Sequence, residues 1–209
     1  MDEVNTIAEV DEVIVVTNNR YYEHFVNWSE HVYTPKKLTI LNDNTNSNDD
    51  RLGAIGDINF TIDELNINDD LLIIAGDSLF DFKLKDFVDF YKKKKEPIVS
   101  CERLKDNETL KRVAVVSLDE NNKIVDLVEK PENPQSDIAA YAMYLYPKDV
   151  IKDIKTYLAE GNKPDAPGYL LEYLYPKKDV YAYVFKGAFY DVGTHDSLKE
   201  VREIYGKID

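Results

Sequence analysis

The chain has 209 residues, 44% of them hydrophobic and 32% charged, enough to bury a core in one large domain or two small ones. Its net charge of −14 argues against a basic nucleic-acid face or an anionic-membrane surface, yet leaves open a phosphorylated ligand held through a divalent cation. A single cysteine, Cys101, excludes an internal disulfide, no apolar run reaches membrane-span length, and residues 1–12 are acidic rather than a signal peptide, so the expected location is the cytoplasm.

Residues 1–10 read as a short helical lead-in, and Val13–Val16 as a continuous apolar strand closed by the helix N-cap Thr17-Asn18-Asn19. A helix is expected from Asn19 to about Val32, with Tyr22, Phe25, Val26 and Trp28 among its apolar positions. His24 and His31 lack carboxylate or cysteine partners at metal spacing and read as surface residues. Leu38–Leu41 follows as a short strand, 42–50 as a polar loop, and a helix runs from near Arg51 towards Glu64 on Leu52, Ile55, Ile58 and Ile62. Gly53 and Gly56 at its start cost helix stability but let a ligand or another backbone come close.

Leu71–Ala75 is an unbroken apolar run between Asp69-Asp70 and Gly76, which suits a central parallel strand covered on both faces. Open parallel sheets bind ligands beyond the carboxyl ends of their strands, where Asp77 sits. Alone, Asp77 has two readings: a carboxylate for a hard cation, or a turn aspartate capping the next helix. That helix covers about residues 83–95 on Leu84, Phe87, Val88 and Tyr91, with Lys92–Lys95 favouring its negative end.

The second half adds strands at Ile98–Cys101, Val113–Leu118, Ile124–Lys130 and Ile138–Tyr146, with Asp119–Asn122 as a hairpin connection and Cys101 as a buried structural thiol. Pro147 starts a helix to about Ala159; a second spans about Tyr169–Tyr175, a strand covers Asp179–Phe185, and Leu198–Tyr205 is a closing helix. The expected class is α/β: a doubly wound, mostly parallel Rossmann-like sheet with added antiparallel strands in the second half, as one domain over residues 1–209.

Four places could carry chemistry: Arg51–Asp57, Gly76-Asp77, Glu129-Lys130-Pro131, and Tyr190-Asp191-Val192-Gly193-Thr194. In that order, in an α/β chain, they resemble the sugar-1-phosphate nucleotidyltransferases, the group that includes glucose-1-phosphate thymidylyl- and uridylyltransferases, from about Val10 to Glu200. The resemblance implies an enzyme that joins a nucleoside triphosphate to a sugar 1-phosphate and releases pyrophosphate. Two anions meet in that reaction, so catalysis rests on positioning and charge neutralisation. By the same matching, Asp77 and Asp191 would hold Mg²⁺ as the catalytic pair, Glu129 would accept sugar hydroxyl hydrogen bonds, Lys130 would reach the phosphate, and Leu52-Gly53 would pack against the base. The implied partners are a nucleoside triphosphate or nucleotide sugar and a sugar 1-phosphate, with no nucleic acid and no membrane. The plain alternatives are an exposed strand-end pair for Glu129-Lys130, a turn former for Asp191 and a packing contact for Gly53, while His195 reads as a cap of the last helix.

The chain also departs from the family pattern. The family opens with a strand and a glycine-rich loop carrying an arginine, with a lysine further on, and nothing in residues 1–209 matches that segment, so the domain reads as N-terminally truncated. In the family sheet that strand lies between those matching Val13–Val16 and Leu71–Ala75. Either these two close on each other, or a segment from another molecule fills the gap, through a homo-oligomer or pairing with a full-length paralogue. Ala114, and Ala140-Tyr141-Ala142, replace positions that are usually glycine-containing on the sugar side, which is expected to crowd a hexose. The expected function is therefore that of the family with this chain inactive alone; the alternative is a non-catalytic nucleotide- or nucleotide-sugar-binding or regulatory subunit of the same fold.

Overall fold

The computed structural model describes residues 1–206. In chain order, α1 (Asp2–Asn5) leads into β1 (Glu12–Thr17), α2 (Tyr22–Ser29), β2 (Lys37–Asn42), α3 (Ala54–Glu64) and β3 (Leu71–Ile74). Next come β4 (Ser78–Phe80), α4 (Leu84–Lys94), β5 (Ile98–Arg103), α5 (Asn107–Leu110), β6 (Ala114–Leu118) and β7 (Ile124–Glu129). Then follow β8 (Ile138–Tyr146), α6 (Val150–Ala159), α7 (Pro167–Leu174), β9 (Tyr181–Val184), β10 (Phe189–Asp191) and α8 (His195–Tyr205).

The α/β alternation follows the apolar runs, and the differences have local causes. The lead-in helix is only α1. α3 begins at Ala54 because Gly53 enters it with φ +79 and ψ 160, a conformation open in practice to glycine alone. α8 begins three residues before Leu198: Thr194 is its N-cap, in a capping box with Ser197, so His195 is the first helical residue and not the cap.

β3, β5, β6 and β9 share one direction, β7 and β8 oppose them, and β1 runs parallel to β2. The fold is α/β, with strands mostly in one direction and antiparallel strands added. β8 organises the larger sheet. Along one edge it pairs with β5; along the other, Ile138–Ala140 pair with β6 and Met143–Tyr146 with β3. That edge therefore forks at Tyr141 and Ala142.

Both faces of β8 are buried. On one, Ile55 and Ile62 of α3, Val150 and Ile154 of α6 and Leu171 of α7 pack over Cys101, Val116, Ala140 and Tyr144. On the other, Leu84, Phe87 and Val88 of α4, with Ile7, pack on Ile98, Met143 and Leu145. Full burial of such side chains contributes about 1.5–3 kcal/mol each. Cys101 is buried as expected, and burial pushes its thiol up, away from nucleophile chemistry. Among the described residues no helix is long and apolar enough to cross a membrane.

The expectation that fails is the covered, central parallel β3. It pairs with β8 alone, antiparallel, and all four of its residues are only half-buried. β1 pairs with β2 alone, so β1 and β3 do not close on each other. No residue of β1, α2 or β2 is buried. Regions with few buried apolar contacts open at low free energy. In native-state hydrogen exchange, the β1 and β2 amides are expected to exchange through local opening, orders of magnitude faster than those of β5 and β8. Uniform protection across the four strands would contradict this packing.

Candidate functional site

Asp77 and Asp191 are brought together by a ladder of three residue pairs. β3 ends at Ile74, Ala75 N–H donates to Ala142 O at 2.9 Å, and Ser78 N–H closes a turn on Ala75 O at 3.0 Å. β4 then pairs antiparallel with β10, setting Ser78 opposite Asp191, and Val192 N–H donates to Asp77 O at 2.8 Å. Both carboxylates turn towards Gly193: a Cβ there would stand 3.0 Å from Asp191 Oδ1 and 3.5 Å from Asp77 Oδ2. Burial first, and then the Asp191 charge, hold the Asp77 carboxyl above its ordinary range.

Two facing carboxylates without a basic partner fit a hard divalent cation. Among the described residues no third His, Cys, Asp or Glu joins them, so most coordination positions of such an ion would be left to water or phosphate oxygen, the arrangement Mg²⁺ favours.

Glu129 and Lys130 stand across the β8 fork. Ala114 pairs with Glu129 on one side and Ala140 on the other, which carries the end of β7 to the place where β6 starts. Lys130 takes a left-handed φ of +49 and donates its N–H to Val113 O at 3.2 Å, turning the chain sharply after Glu129. The Glu129 carboxylate lies over Gly168, where a Cβ would stand 2.0 Å from Oε2. Burial outweighs the charge of Lys130 and raises the Glu129 carboxyl, with Glu172 adding to the rise. Glu172 on α7 also accepts the Glu129 N–H at 2.8 Å. Glu129 is thus half-buried and braced, not part of an exposed strand-end pair.

Gly168 and Glu172 escaped the sequence reading; their only signal was a glycine directly after Pro167, at the start of an otherwise apolar helix. Tyr141 corrects an expectation. Strand alternation sends Ala140 and Ala142 to the α3 side, while the Tyr141 ring stacks on Phe189 at 4.3 Å and its hydroxyl donates to Glu102 Oε2 at 3.1 Å. It does not enter the space beside Glu129, on the face where Ala114, Ala140 and Gly168 stand.

Leu52 and Gly53 lie at a third place. Ala54 and Ile55 N–H donate to Asp165 O at 3.2 Å and Pro164 O at 2.8 Å, and a Cβ on Gly53 would meet Pro164 O at 2.7 Å. An open recess of about 310 Å³ results, lined by Arg51, Gly53, Ala54, Asp57, Asp165 and Ala166, with Arg51 and Asp165 paired at 3.1 Å. Asp57 is the unexpected member. Its Oδ1 is buried without a hydrogen-bond partner, and burial together with the Asp43 carboxylate pushes its carboxyl up to about 6.

A carboxyl raised on folding contributes stability that is present below the unfolded value, about 3.9, and is lost as pH rises through about 6. Asp57→Asn is therefore expected to stabilise the fold at pH 7 by about 1 kcal/mol, discounting a half-exposed group for solvent screening. The gain should vanish below about pH 4, as read by urea unfolding across pH; an equal effect at both pH values would contradict the assignment.

The comparisons follow this geometry. Over residues 3–207 the chain matches the Nucleotidyl transferase family. It is 30% identical over 131 residues to a glucose-1-phosphate adenylyltransferase of Lachnospira eligens, covering 62% of this chain and 31% of that protein. A glucose-1-phosphate adenylyltransferase of Thermomicrobium roseum is 29% identical over 137 residues, covering 63% of this chain and 31% of that protein. The chain thus spans about a third of the length of these relatives. Among solved structures, a UDP-glucose pyrophosphorylase complexed with UDP-glucose superposes with a TM-score of 0.73 at 22% identity, over 95% of this chain and 82% of that one. With the family match running through all three places described above, the chain belongs to the nucleotidyl transferase family.

Proposed function

We propose that the site takes a nucleoside triphosphate or nucleotide sugar together with glucose 1-phosphate, and is built for nucleotidyl transfer with release of pyrophosphate. One observation carries this reading: the convergence of Asp77 and Asp191 at the end of β3, with Glu129 and Lys130 opposite them across the fork in β8. The choice of glucose rests on the names of the relatives.

In this reading Asp77 and Asp191 hold Mg²⁺, which when bound neutralises phosphate charge. The half-buried Glu129 carboxylate accepts hydrogen bonds from sugar hydroxyls, and a raised carboxyl suits a group exchanging water for a neutral partner. Lys130, aimed by its left-handed turn, neutralises the sugar phosphate. The backbone at Leu52-Gly53 packs against the base at the Arg51–Asp57 recess, where a side chain at position 53 is barred. The sugar phosphate oxygen attacks the α-phosphorus, a new P–O bond forms, and the bond to the β-phosphate breaks as pyrophosphate leaves in line.

Residues 1–209 by themselves contain no glycine-rich, arginine-bearing loop for the triphosphate. Losing one preorganised donor at a developing charge slows an enzyme about 10²–10³-fold, so these residues alone are expected to release pyrophosphate far below an ordinary rate of about 1 s⁻¹. Turnover near that rate that disappears in Asp77→Asn would contradict the expectation. The unpaired edges of β1 and β3 favour a second reading, a binding or regulatory subunit of the same fold that works beside a complete copy.

Binding separates the shared part of both readings from neither. With Mg²⁺ and UDP-glucose at a hundredfold excess over Kd, the melting temperature is expected to rise by roughly 5–10 °C. Asp77→Asn should fold and lose the rise. A rise that persists in Asp77→Asn, or no rise with any nucleotide sugar at millimolar concentration, would contradict the site.

A further inference from the structure

We infer that Tyr141 is a positioning residue for the two aspartates: its ring, braced by Glu102, holds β10 in the rotation that turns Asp191 towards Asp77. The inference rests on the proposed function, because it concerns the support of that cation site.

The aspartates stand on a ladder that cannot place itself. β4 and β10 form a two-stranded sheet of their own, three residue pairs long and separate from the larger sheet. So short a ribbon is marginal in isolation and takes its position from what packs against it. On the β4 side the backbone supplies an anchor, where Ala75 N–H donates to Ala142 O at 2.9 Å. Among the described residues no backbone hydrogen bond joins β10 to β8, so side chains make that link.

The β5–β8 ladder is irregular at this place. Val99 stands opposite Tyr144 and Cys101 opposite Ala140, which leaves Tyr141–Met143 facing Ser100 alone. Extra residues in one strand of a pair re-aim its side chains. The Tyr141 ring stacks on Phe189 of β10 at 4.3 Å with 25° between the planes, and Phe80 of β4 stacks on the same Phe189 at 6.3 Å. The Tyr141 hydroxyl donates to Glu102 Oε2, near the end of β5, at 3.1 Å, which fixes the direction of the ring. β8, β5, β4 and β10 are thus joined through one aromatic contact.

Phe189 carries that position to the carboxylate. Residues two apart in a strand share a face, so Phe189 and Asp191 project together, while Tyr190 points the other way and meets Tyr205 edge-on. A roll of β10 that loosens Phe189 therefore swings Asp191 as well. Two carboxylates that share one ion tolerate little of this. Residues standing behind metal ligands change affinity by about 10–100-fold when removed.

The test is the Mn²⁺ affinity of the whole chain, read from the paramagnetic resonance of free Mn²⁺, with Asp77→Asn as the variant that removes the site. Tyr141→Leu keeps apolar bulk without a ring to stack, and Phe189→Leu removes the other half of the contact. Each is expected to weaken Mn²⁺ binding about tenfold or more, and the double variant no further than either alone. Tyr141→Phe, which keeps the ring, should retain most of the affinity. Leu145→Ala opens a cavity in the same cluster on β8; it should lower the melting temperature and leave Mn²⁺ affinity unchanged. Affinity lost in Asp77→Asn but unchanged in Tyr141→Leu and Phe189→Leu would overturn this inference and leave the proposed cation site standing. Equal weakening by Leu145→Ala would overturn it in favour of general loosening. No Mn²⁺ binding by the unaltered chain would overturn the cation site, and this inference with it.

Discussion

β8 is hydrogen-bonded to β5 along one edge and to two different strands along the other, and the candidate site follows from that division. Because β6 takes Ile138–Ala140 and β3 takes Met143–Tyr146, the sheet parts at Tyr141 and Ala142. The carboxyl end of β3 and the start of β6 then abut the same two residues from opposite directions. Asp77 is delivered from one side and Glu129 with Lys130 from the other, on strands whose positions are set by cores on both faces of β8. A site built from strand ends on a packed sheet is held more rigidly than one built from loops alone.

The uncompensated charge is the second constraint. Asp77 beside Asp191, and Asp57 beside Asp43, are pairs of like carboxylates whose first members are raised by burial and by each other's charge. Among the described residues no lysine or arginine pairs with any of the four, although twelve ion pairs are formed elsewhere. Such pairs are costly in isolation and become favourable when a cation or a cationic group arrives. The chain thus carries its electrostatic cost at places where ligands or partners can relieve it.

The long apolar runs made the α/β order readable, because Val13–Val16, Leu71–Ala75 and Ile138–Tyr146 each concentrate β-branched or apolar residues between turn signals. Asp77 was readable because it follows a strand end that the run defines, whereas Glu129 was singled out only through the family resemblance. β4 and β10 were not readable, since three residues are too few to show alternation, and their ladder, extended by Val192 N–H donating to Asp77 O, joins segments distant in sequence. The face of Tyr141 depends on register along β8, which motif matching does not carry. Gly168 and Asp57 matter through what stands against them, Glu129 in one case and Asp43 in the other, and such contacts join residues distant in sequence. The pairing of β3 was misread because a run of apolar residues reports burial and not the identity of the neighbouring strand.

The claim on which the rest turns is that Asp77 and Asp191 form one cation site at the end of β3. Crystals grown with Mn²⁺ and UDP-glucose, measured at the manganese absorption edge, address it directly. An anomalous peak within about 2.3 Å of carboxylate oxygens from both residues, with a phosphate oxygen on its far side, is the predicted result, allowing for an ion slightly larger than Mg²⁺. A peak bound to neither aspartate, with the nucleotide sugar in place, would contradict it.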